Sequence, residues 1–267
     1  MQGIEVASRE KQRANESTRI LSGIEITEGS IAVASLHQLT GLRKLAIYKL
    51  KVQKGSQTST QLRSSIEHLC SCGLQTLVIN DEGSDFINTL DSMPAPPRYL
   101  IALELSGKLE RAPEWIKNLN NLYKLTLSVT VLRADTLKLL CDLLKLFCLT
   151  FSLNAAKQHQ KEIEDMLQEN KCLGGGEIVV PPGGFENLKL LRFFATIVPR
   201  VTFAAEAMPA LERIDMWFQA FEGAYGIDRL KSIQEVHLSV DNQADEATRY
   251  LVGYLKKNKQ KPKIITD

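Results

Sequence analysis

The chain has 267 residues, of which 44% are hydrophobic, and its 33 basic and 31 acidic residues leave a formal net charge of +2. That apolar share can fill a continuous core and excludes wholesale disorder, and the near-neutral balance gives no reason to expect nucleic acid as a partner. No segment has the ~18 apolar residues of a membrane helix, and the polar first 20 residues lack a signal peptide's apolar stretch, so we expect a cytoplasmic protein.

A spacing of the type L-x-x-L-x-L recurs nine times along the chain. The middle residues of the nine triplets are Ile24, Leu45, Leu77, Leu103, Leu125, Leu149, Leu191, Ile214 and Val236. Six of the eight steps between them are 21 to 26 residues long, inside the window of about 20–29 that is typical of leucine-rich repeats, whereas the steps of 32 and 42 indicate insertions. The last two apolar residues of a triplet share one face of a short strand, and stacked strands bury that face as a parallel sheet.

The segments between these strands are expected to return along the outer side. Residues 58–70 are predicted to be helical, with Thr58 and Gln61 at capping-box spacing, and residues 135–146 are predicted to be helical behind Asp135 as N-cap. The Pro-Ala-Pro-Pro stretch at 94–97 predicts a rigid extended connector. Within the 42-residue step, the polar residues 157–170 predict an exposed helix. The apolar residues 178–180 could form an extra irregular strand, and the sequence leaves this undecided.

Three parts of the chain follow from this pattern: a polar N-terminal segment (1–20), about nine repeats (21–244), and a capping helix with a basic tail (245–267). The spacing of Tyr250, Leu251, Tyr254 and Leu255 predicts a helix that covers the last repeat, because an open core edge would otherwise face water. The lysines between 256 and 263 are interpreted as a solvated tail. No comparable cap precedes Leu21, which is what a chain cut from the middle of a longer solenoid would show.

The fold class predicted is therefore α/β, a leucine-rich-repeat horseshoe. Short parallel strands line its concave face, and irregular segments with short helices form its outer face. Five phrases carry a resemblance to a known family: Leu39–Leu45, Pro96–Leu122 with its spaced Gly107, Pro113 and Trp115, Phe185–Leu191, Ala207–Glu212 and Gly226–Leu238. They resemble the repeats of the coiled-coil class of nucleotide-binding leucine-rich-repeat disease resistance proteins of grasses, and the resemblance covers about residues 20–265.

The resemblance implies a recognition and autoinhibition arm, which senses a pathogen effector or host protein and holds a nucleotide-binding module off. The chain departs from the family in lacking that module, because no G-x-x-x-x-G-K-[ST] loop occurs and neither glycine run, at 174–176 or 183–184, is followed by the required lysine. We therefore expect no nucleotide binding by this chain. A stand-alone adaptor or scaffold is the alternative, since the solenoid is a generic binding surface.

No catalytic, metal or cofactor site is predicted, so the chain is not expected to be an enzyme. The four histidines lack the spacing of a zinc site, and no G-x-S-x-G elbow occurs. Cys70 lies two residues after His68, which on a helix does not bring the two side chains together. Asp81, Glu82 and Asp85 are interpreted as a solvated turn, and the five cysteines, which lack regular spacing, suit a reducing compartment.

A protein contact surface is predicted on the concave face of the last three repeats. Residues beside the inward leucines point outward and form three lateral columns: Leu190, Arg213, Glu235; Arg192, Asp215, His237; and Phe194, Trp217, Ser239. Arg213 should then pair with Glu235, and Arg192 with Asp215. Adjacent Phe194 and Trp217 would form an aromatic anchor. The alternative is a one-residue slip at Phe193-Phe194 that buries both rings in the core.

Overall fold

The computed structural model describes residues 18–129, 132, 134–153, 177–195, 197–198, 200–218, 220–240, 246–257 and 261–266. Strands are numbered here in chain order. They are β1 (Ile20–Thr27), β2 (Lys44–Lys51), β3 (Thr76–Asp81), β4 (Ala102–Leu109), β5 (Lys124–Val129), β6 (Cys148–Leu153), β7 (Glu177–Val180), β8 (Leu190–Ala195), β9 (Ile197–Val198), β10 (Arg200–Phe203), β11 (Arg213–Phe218), β12 (Ala220–Phe221), β13 (Ala224–Tyr225), β14 (Glu235–Val240) and β15 (Lys263–Thr266). Ten of these strands form one open, parallel sheet in the order β1-β2-β3-β4-β5-β6-β8-β11-β14-β15.

The triplet leucines form one buried row across this sheet, as the repeat predicts. From Leu45 on β2 to Val236 on β14, the middle residue of each triplet pairs with the middle residue of the next, and each is at most 1% exposed. The first repeat departs from this frame. Gly23, at φ +78°, lies in an irregularity of β1, so that Leu21 pairs with Leu45 and Ile24 with Ile47. The predicted first triplet is therefore out of register with the others.

Four helices occur among the described residues: α1 (Ile31–Leu36), α2 (Gln57–Ser71), α3 (Ala134–Leu140) and α4 (Glu246–Lys257). The helix predicted at 58–70 is confirmed as α2, although Ser56 rather than Thr58 caps it, accepting a hydrogen bond from the Ser59 amide at 3.1 Å. The helix predicted at 135–146 is shorter, because α3 ends at Leu140 and turns follow. Short 3-10 helices at Phe86–Ser92, Glu114–Asn118 and Ile227–Arg229 also occur in the segments that return along the outer side.

The later repeats carry strands on both sides of the core. The extra strand left open at 178–180 forms as β7, which pairs with β10, and β10 pairs with β13. Buried residues of these strands, including Val180, Val201 and Phe203, belong to the same core as the triplet leucines. The predicted polar helix at 157–170 and the glycines at 174–176 lie outside the described residues.

Side-chain hydrogen bonds stabilise several turns on the outer side of the repeats, where the sequence pattern is weak. Asp81, predicted to lie in a solvated turn, is only 3% exposed. Its carboxylate accepts hydrogen bonds from the amides of Ser84 at 2.8 Å and Ile87 at 3.1 Å, so this part of the solvated-turn interpretation is wrong. Gly107 is required beside it, since a Cβ there would lie 2.6 Å from the Asp81 carbonyl oxygen. The Trp115 indole donates to the Leu90 carbonyl at 2.7 Å and joins two successive turns.

The C-terminal end is covered by α4 and by one more strand. Leu251 and Leu255 of α4 are at most 1% exposed, as a capping helix requires. The solvated-tail interpretation is wrong for Lys263, because Lys263–Thr266 forms β15, which pairs in parallel with β14. Within the part of the chain that the structure describes, no helix is long and apolar enough to cross a membrane.

Candidate protein-binding surface

The strands β8, β11 and β14 place the three predicted columns side by side. Arg213 pairs with Leu190 on one side and Glu235 on the other, Asp215 with Arg192 and His237, and Trp217 with Phe194 and Ser239. The intervening residues Phe193 and Met216 are at most 2% exposed and point into the core. The register predicted from the triplets is thus confirmed, and the alternative one-residue slip is not observed.

Asp215 lies at the centre of this surface and its side chain is fully enclosed. Its carboxylate accepts hydrogen bonds from Arg192 Nε at 3.2 Å and from Arg213 Nε at 2.5 Å. The hydrogen bond to Asp215 raises the pKa of Arg213 above its already high ordinary value. The predicted pairing of Arg192 with Asp215 is confirmed, but it is a buried carboxylate under two half-exposed guanidinium groups rather than an exposed ion pair.

A second acidic group, Glu235, organises the C-terminal side of the surface. Its carboxylate lies 3.5 Å from Arg213, as predicted, and 3.2 Å from His237 Nε2. His237 Nδ1 faces the Arg213 guanidinium at 3.4 Å, so an imidazole that carries its proton on Nε2 satisfies both contacts. Lys263 of β15 approaches Glu235 at 3.8 Å and extends the network beyond the last predicted repeat.

The rings of Phe194 and Trp217 form a stacked pair at the C-terminal ends of their strands. Their centroids are 4.1 Å apart and their planes are inclined by 3°. Both side chains are half-buried. Because they lie on the strand face opposite to Phe193 and Met216, the outer part of the stack faces the concave side of the sheet. Arg192 and Arg213, with side chains 33% and 38% exposed, lie two and four residues before the rings along the same strands.

Comparison with known proteins agrees with this architecture. A family model described as "Leucine-rich repeat region" matches residues 16–263. The chain belongs to that family. It is 59% identical over 265 residues to the rice (Oryza sativa subsp. japonica) disease resistance proteins Pik-2 and Pikm2-TS, and 56% identical to the rice disease resistance protein PIK6-NP. These alignments cover 97% of the chain but only about a quarter (26%, 26% and 25%) of each relative.

These relatives confirm the resemblance that the sequence phrases indicated, since they are disease resistance proteins of a grass. They also fix what kind of site the repeat region is expected to hold. Leucine-rich repeats bind partners along the strand surface, so the exposed side chains of β8, β11 and β14 are candidates for contact rather than for catalysis.

Arginines and large aromatic residues are the side chains that most often dominate binding energy at protein interfaces. Here a buried carboxylate holds both guanidinium groups in fixed positions beside a planar ring stack, so few rotamers would be lost when a partner docks. The arrangement can stack on or cover an apolar side chain at Trp217 while the free guanidinium N–H groups donate to a carboxylate or carbonyl oxygen.

The reactive pair noted in the sequence, His68 and Cys70, lies on α2 and not on the strand surface. Burial raises the pKa of Cys70 to about 12, which keeps it protonated near neutral pH. The side chain one helical turn from His68 is instead Cys72, whose sulfur lies 3.6 Å from the imidazole. No group of three or more histidine, cysteine or acidic side chains suited to a metal occurs in the ranges that the structure describes.

The sequence pattern predicts the columns, but it predicts neither Lys263 as a member of the surface nor the bond between Arg213 and Asp215. Lys263 was assigned to a solvated tail, although the adjacent Ile264 and Ile265 are signals of a strand. The bond between Arg213 and Asp215 joins two residues on the same face of one strand, whereas the strand period predicts pairs between neighbouring strands.

Proposed function

We propose that this chain is the recognition and autoinhibitory arm of a plant intracellular immune receptor. The observation that carries the proposal is its 59% identity, over 97% of its length, to one quarter of a rice disease resistance protein. At that identity the aligned quarter of the relative has the same fold, and the two regions are expected to do the same work. The chain's resemblance to receptor repeats implies that this work is sensing an effector and restraining a nucleotide-binding module.

The proposal is tested by the transcript that encodes the chain. The receptor role predicts an upstream reading frame that contains a G-x-x-x-x-G-K-[ST] loop, whose backbone and lysine hold nucleotide phosphates. An upstream F-box, or a stop codon directly before Met1, would contradict the receptor role and favour a stand-alone adaptor.

We place the contact of this arm with its protein partner on the concave surface of β8, β11 and β14. The proposed contact residues are Arg192, Phe194, Arg213, Asp215, Trp217, Glu235 and His237. The support is the half-exposed Phe194–Trp217 stack beside two guanidinium groups. The partly exposed Arg213–Glu235 pair contributes little to stability, so folding alone is a poor reason for that part of the pattern.

Co-purification tests this surface with a defined partner, namely rice Pik-2 that lacks the quarter corresponding to this chain. The tagged chain should bind that protein, and Trp217→Ala should reduce the bound amount by about tenfold or more, as expected for a hot-spot residue. Tyr48→Ala is the matched control, because Tyr48 is a 48%-exposed aromatic on β2 of the same sheet.

The outcomes of this experiment separate two failures. If the wild-type chain does not bind the truncated Pik-2 at all, the autoinhibitory role is contradicted. If it binds and Trp217→Ala binds equally well, the proposed contact surface is contradicted while the autoinhibitory role stands.

We also propose that the arm works in the cytoplasm and catalyses no reaction. The four cysteines of the described residues, Cys70, Cys72, Cys141 and Cys148, are free thiols, which suits a reducing compartment. A fluorescent fusion of the complete receptor in plant cells should be cytoplasmic, and secretion to the cell wall would contradict this assignment.

A further inference from the structure

A second set of exposed side chains lies at the N-terminal ends of the strands, the end opposite to Phe194 and Trp217. Each of these side chains belongs to the residue just before a strand. These rim residues are aligned by backbone bonds. The amide of Tyr123 donates to the Ile101 carbonyl at 2.8 Å, that of Phe147 to Tyr123 at 2.9 Å, and that of Lys189 to Phe147 at 2.9 Å. Side chains at these positions therefore lie next to one another from repeat to repeat.

Most of this rim row is polar, with one interruption. The rim residues of the other central repeats are Arg43, Gln75, Lys189, Glu212 and Gln234. In three consecutive repeats the position is instead apolar or aromatic, at Ile101, Tyr123 and Phe147, which are named here the rim ladder. An apolar run confined to three neighbouring repeats of a polar row is not required by the repeat itself.

The rim ladder is exposed although its rings pack on each other. Tyr123 and Ile101 are 48% and 42% exposed, and Phe147 is half-buried. The Tyr123 and Phe147 rings stack with centroids 4.7 Å apart and planes inclined by 10°. The Lys189 ammonium lies 5.9 Å from the Phe147 centroid and ends the ladder on its C-terminal side. Contiguous exposed apolar side chains with a polar border are typical of interaction sites.

Lysines border the ladder on both sides. Lys124 follows Tyr123 at the start of β5 and is exposed, and Lys145 hydrogen-bonds Asn121 at 2.9 Å. Neither lysine has a carboxylate within 4.0 Å among the described residues, whereas Lys189 is paired with Glu212 at 2.7 Å. The one acidic side chain on the outward face of β4, Glu104, accepts a hydrogen bond from Ser106 at 3.5 Å. These two exposed ammonium groups, which have no carboxylate partner among the described residues, are complementary to carboxylates of a partner.

We propose that the rim ladder is a second protein-docking surface, which takes a segment that presents aromatic or aliphatic side chains flanked by aspartate or glutamate. It is separate from the Phe194–Trp217 stack, because Lys189 directly precedes β8 and Phe194 lies five residues further along, roughly 16 Å at about 3.3 Å per residue. The aliphatic Ile101 favours a polypeptide over single-stranded nucleic acid, which would use stacking and cations alone.

The test uses short random peptides displayed on phage and selected on the immobilised chain. The selected peptides should combine aromatic or leucine residues with aspartate or glutamate. Made synthetically, they should bind the Tyr123→Ser/Phe147→Ser variant about tenfold or more weakly than the wild type, since paired aromatic anchors are lost. Lys124→Glu/Lys145→Glu should weaken the same peptides and slow their association.

Matched variants keep the result interpretable. Tyr48→Ser replaces an equally exposed tyrosine elsewhere on the sheet, Lys138→Glu reverses an exposed lysine on α3, and Trp217→Ala removes the first surface. All three should bind the peptides as the wild type does, and all variants should keep its melting temperature within a few degrees. Selection of no peptide, of peptides without acidic residues, or of peptides indifferent to the rim-ladder variants would overturn the proposal. Tighter binding of single-stranded DNA at the same residues would also overturn it.

Discussion

The enclosed carboxylate of Asp215 is the clearest single-residue feature of the concave surface. An ionised carboxylate removed from water is costly unless it is paired and hydrogen-bonded, and two guanidinium groups meet that need here. Removing the carboxylate alone would leave Arg192 and Arg213 near one another, with only Glu235, 3.5 Å from Arg213, to compensate their charge. The stability of the last repeats should therefore depend on Asp215 more than on other acidic residues of the surface.

Asp215→Ala is expected to lower the free energy of unfolding by about 2–3 kcal/mol, below the range for fully buried pairs because both arginines are partly exposed. Glu235→Ala, which removes a 33%-exposed carboxylate from the same network, should cost less than about 1 kcal/mol. Urea denaturation of the two variants measures the difference. Equal losses would show that Asp215 has no special structural role.

Two glycines give opposite expectations for the same substitution. Gly226 has φ +75°, and a Cβ there would overlap the carbonyl oxygen of Phe203 on β10. Gly226→Ala should therefore destabilise the protein by about 1–3 kcal/mol or more. Gly253 lies inside α4 with open space around it, so Gly253→Ala should stabilise by about 0.5–1 kcal/mol. Thermal denaturation shows whether each variant is more or less stable than the wild type. A stabilising Gly226→Ala would contradict the close approach of Gly226 to the Phe203 carbonyl.

At the scale of elements, the capping helix α4 is tied to the last repeat by Tyr254. A hydrogen bond to Asp228, which lies in the 3-10 turn Ile227–Arg229, raises the pKa of the Tyr254 hydroxyl to about 12, and burial adds to the shift. The folded state therefore favours the protonated phenol. Its contribution is complete below the unfolded value near 10 and is lost as the pH rises through about 12.

Tyr254→Phe should remove this pH dependence. The wild type should be more stable than the variant below about pH 10, and the gap should close between about pH 10 and 12. Denaturation curves of both proteins across that window measure it, and the comparison cancels the titration of Cys70, whose pKa is also raised to about 12. A gap that stays constant with pH would mean that the Tyr254 hydroxyl makes no such bond.

The elements that the sequence predicted well are those with a repeated pattern. Triplets such as those at Leu103 and Leu191 predicted both strands and register, because alternation fixes which side chains are buried. The prediction is wrong for the first repeat because β1 is irregular at Gly23. Ile24 therefore pairs with Ile47, two residues beyond the predicted partner Leu45, and the spacing alone does not reveal this. The sequence does not predict β15, because its four residues follow a lysine-rich run and short strands are stabilised mainly by their neighbours.

The sequence predicts the strand geometry of the candidate surface but not all of its contacts. The columns and two ion pairs follow from the strand period, and the structure confirms that geometry. The burial of Asp215 and the approach of Lys263 could not be predicted, because they depend on side-chain rotamers and on an unpredicted strand. The role of the surface in binding stays a prediction.

At the scale of the whole molecule, the chain is a row of repeats that share one core and one strand surface. Such arrays bind partners along their strands, and neighbouring repeats supply separate contact groups. The Phe194–Trp217 stack and the rim ladder lie at opposite edges of this surface and in different repeats. A partner that engages one does not need to cover the other, so the two can be tested independently.

We propose that the partner of this arm buries the Phe194–Trp217 surface, and this burial can be measured. Hydroxyl-radical footprinting with mass spectrometry measures it directly, on the chain alone and in complex with the rice Pik-2 protein that lacks the corresponding quarter. Oxidation of Trp217 and Phe194 is expected to fall severalfold in the complex, while oxidation of the more exposed Tyr48 stays unchanged. Unchanged oxidation of Trp217 in a complex that has formed would contradict it.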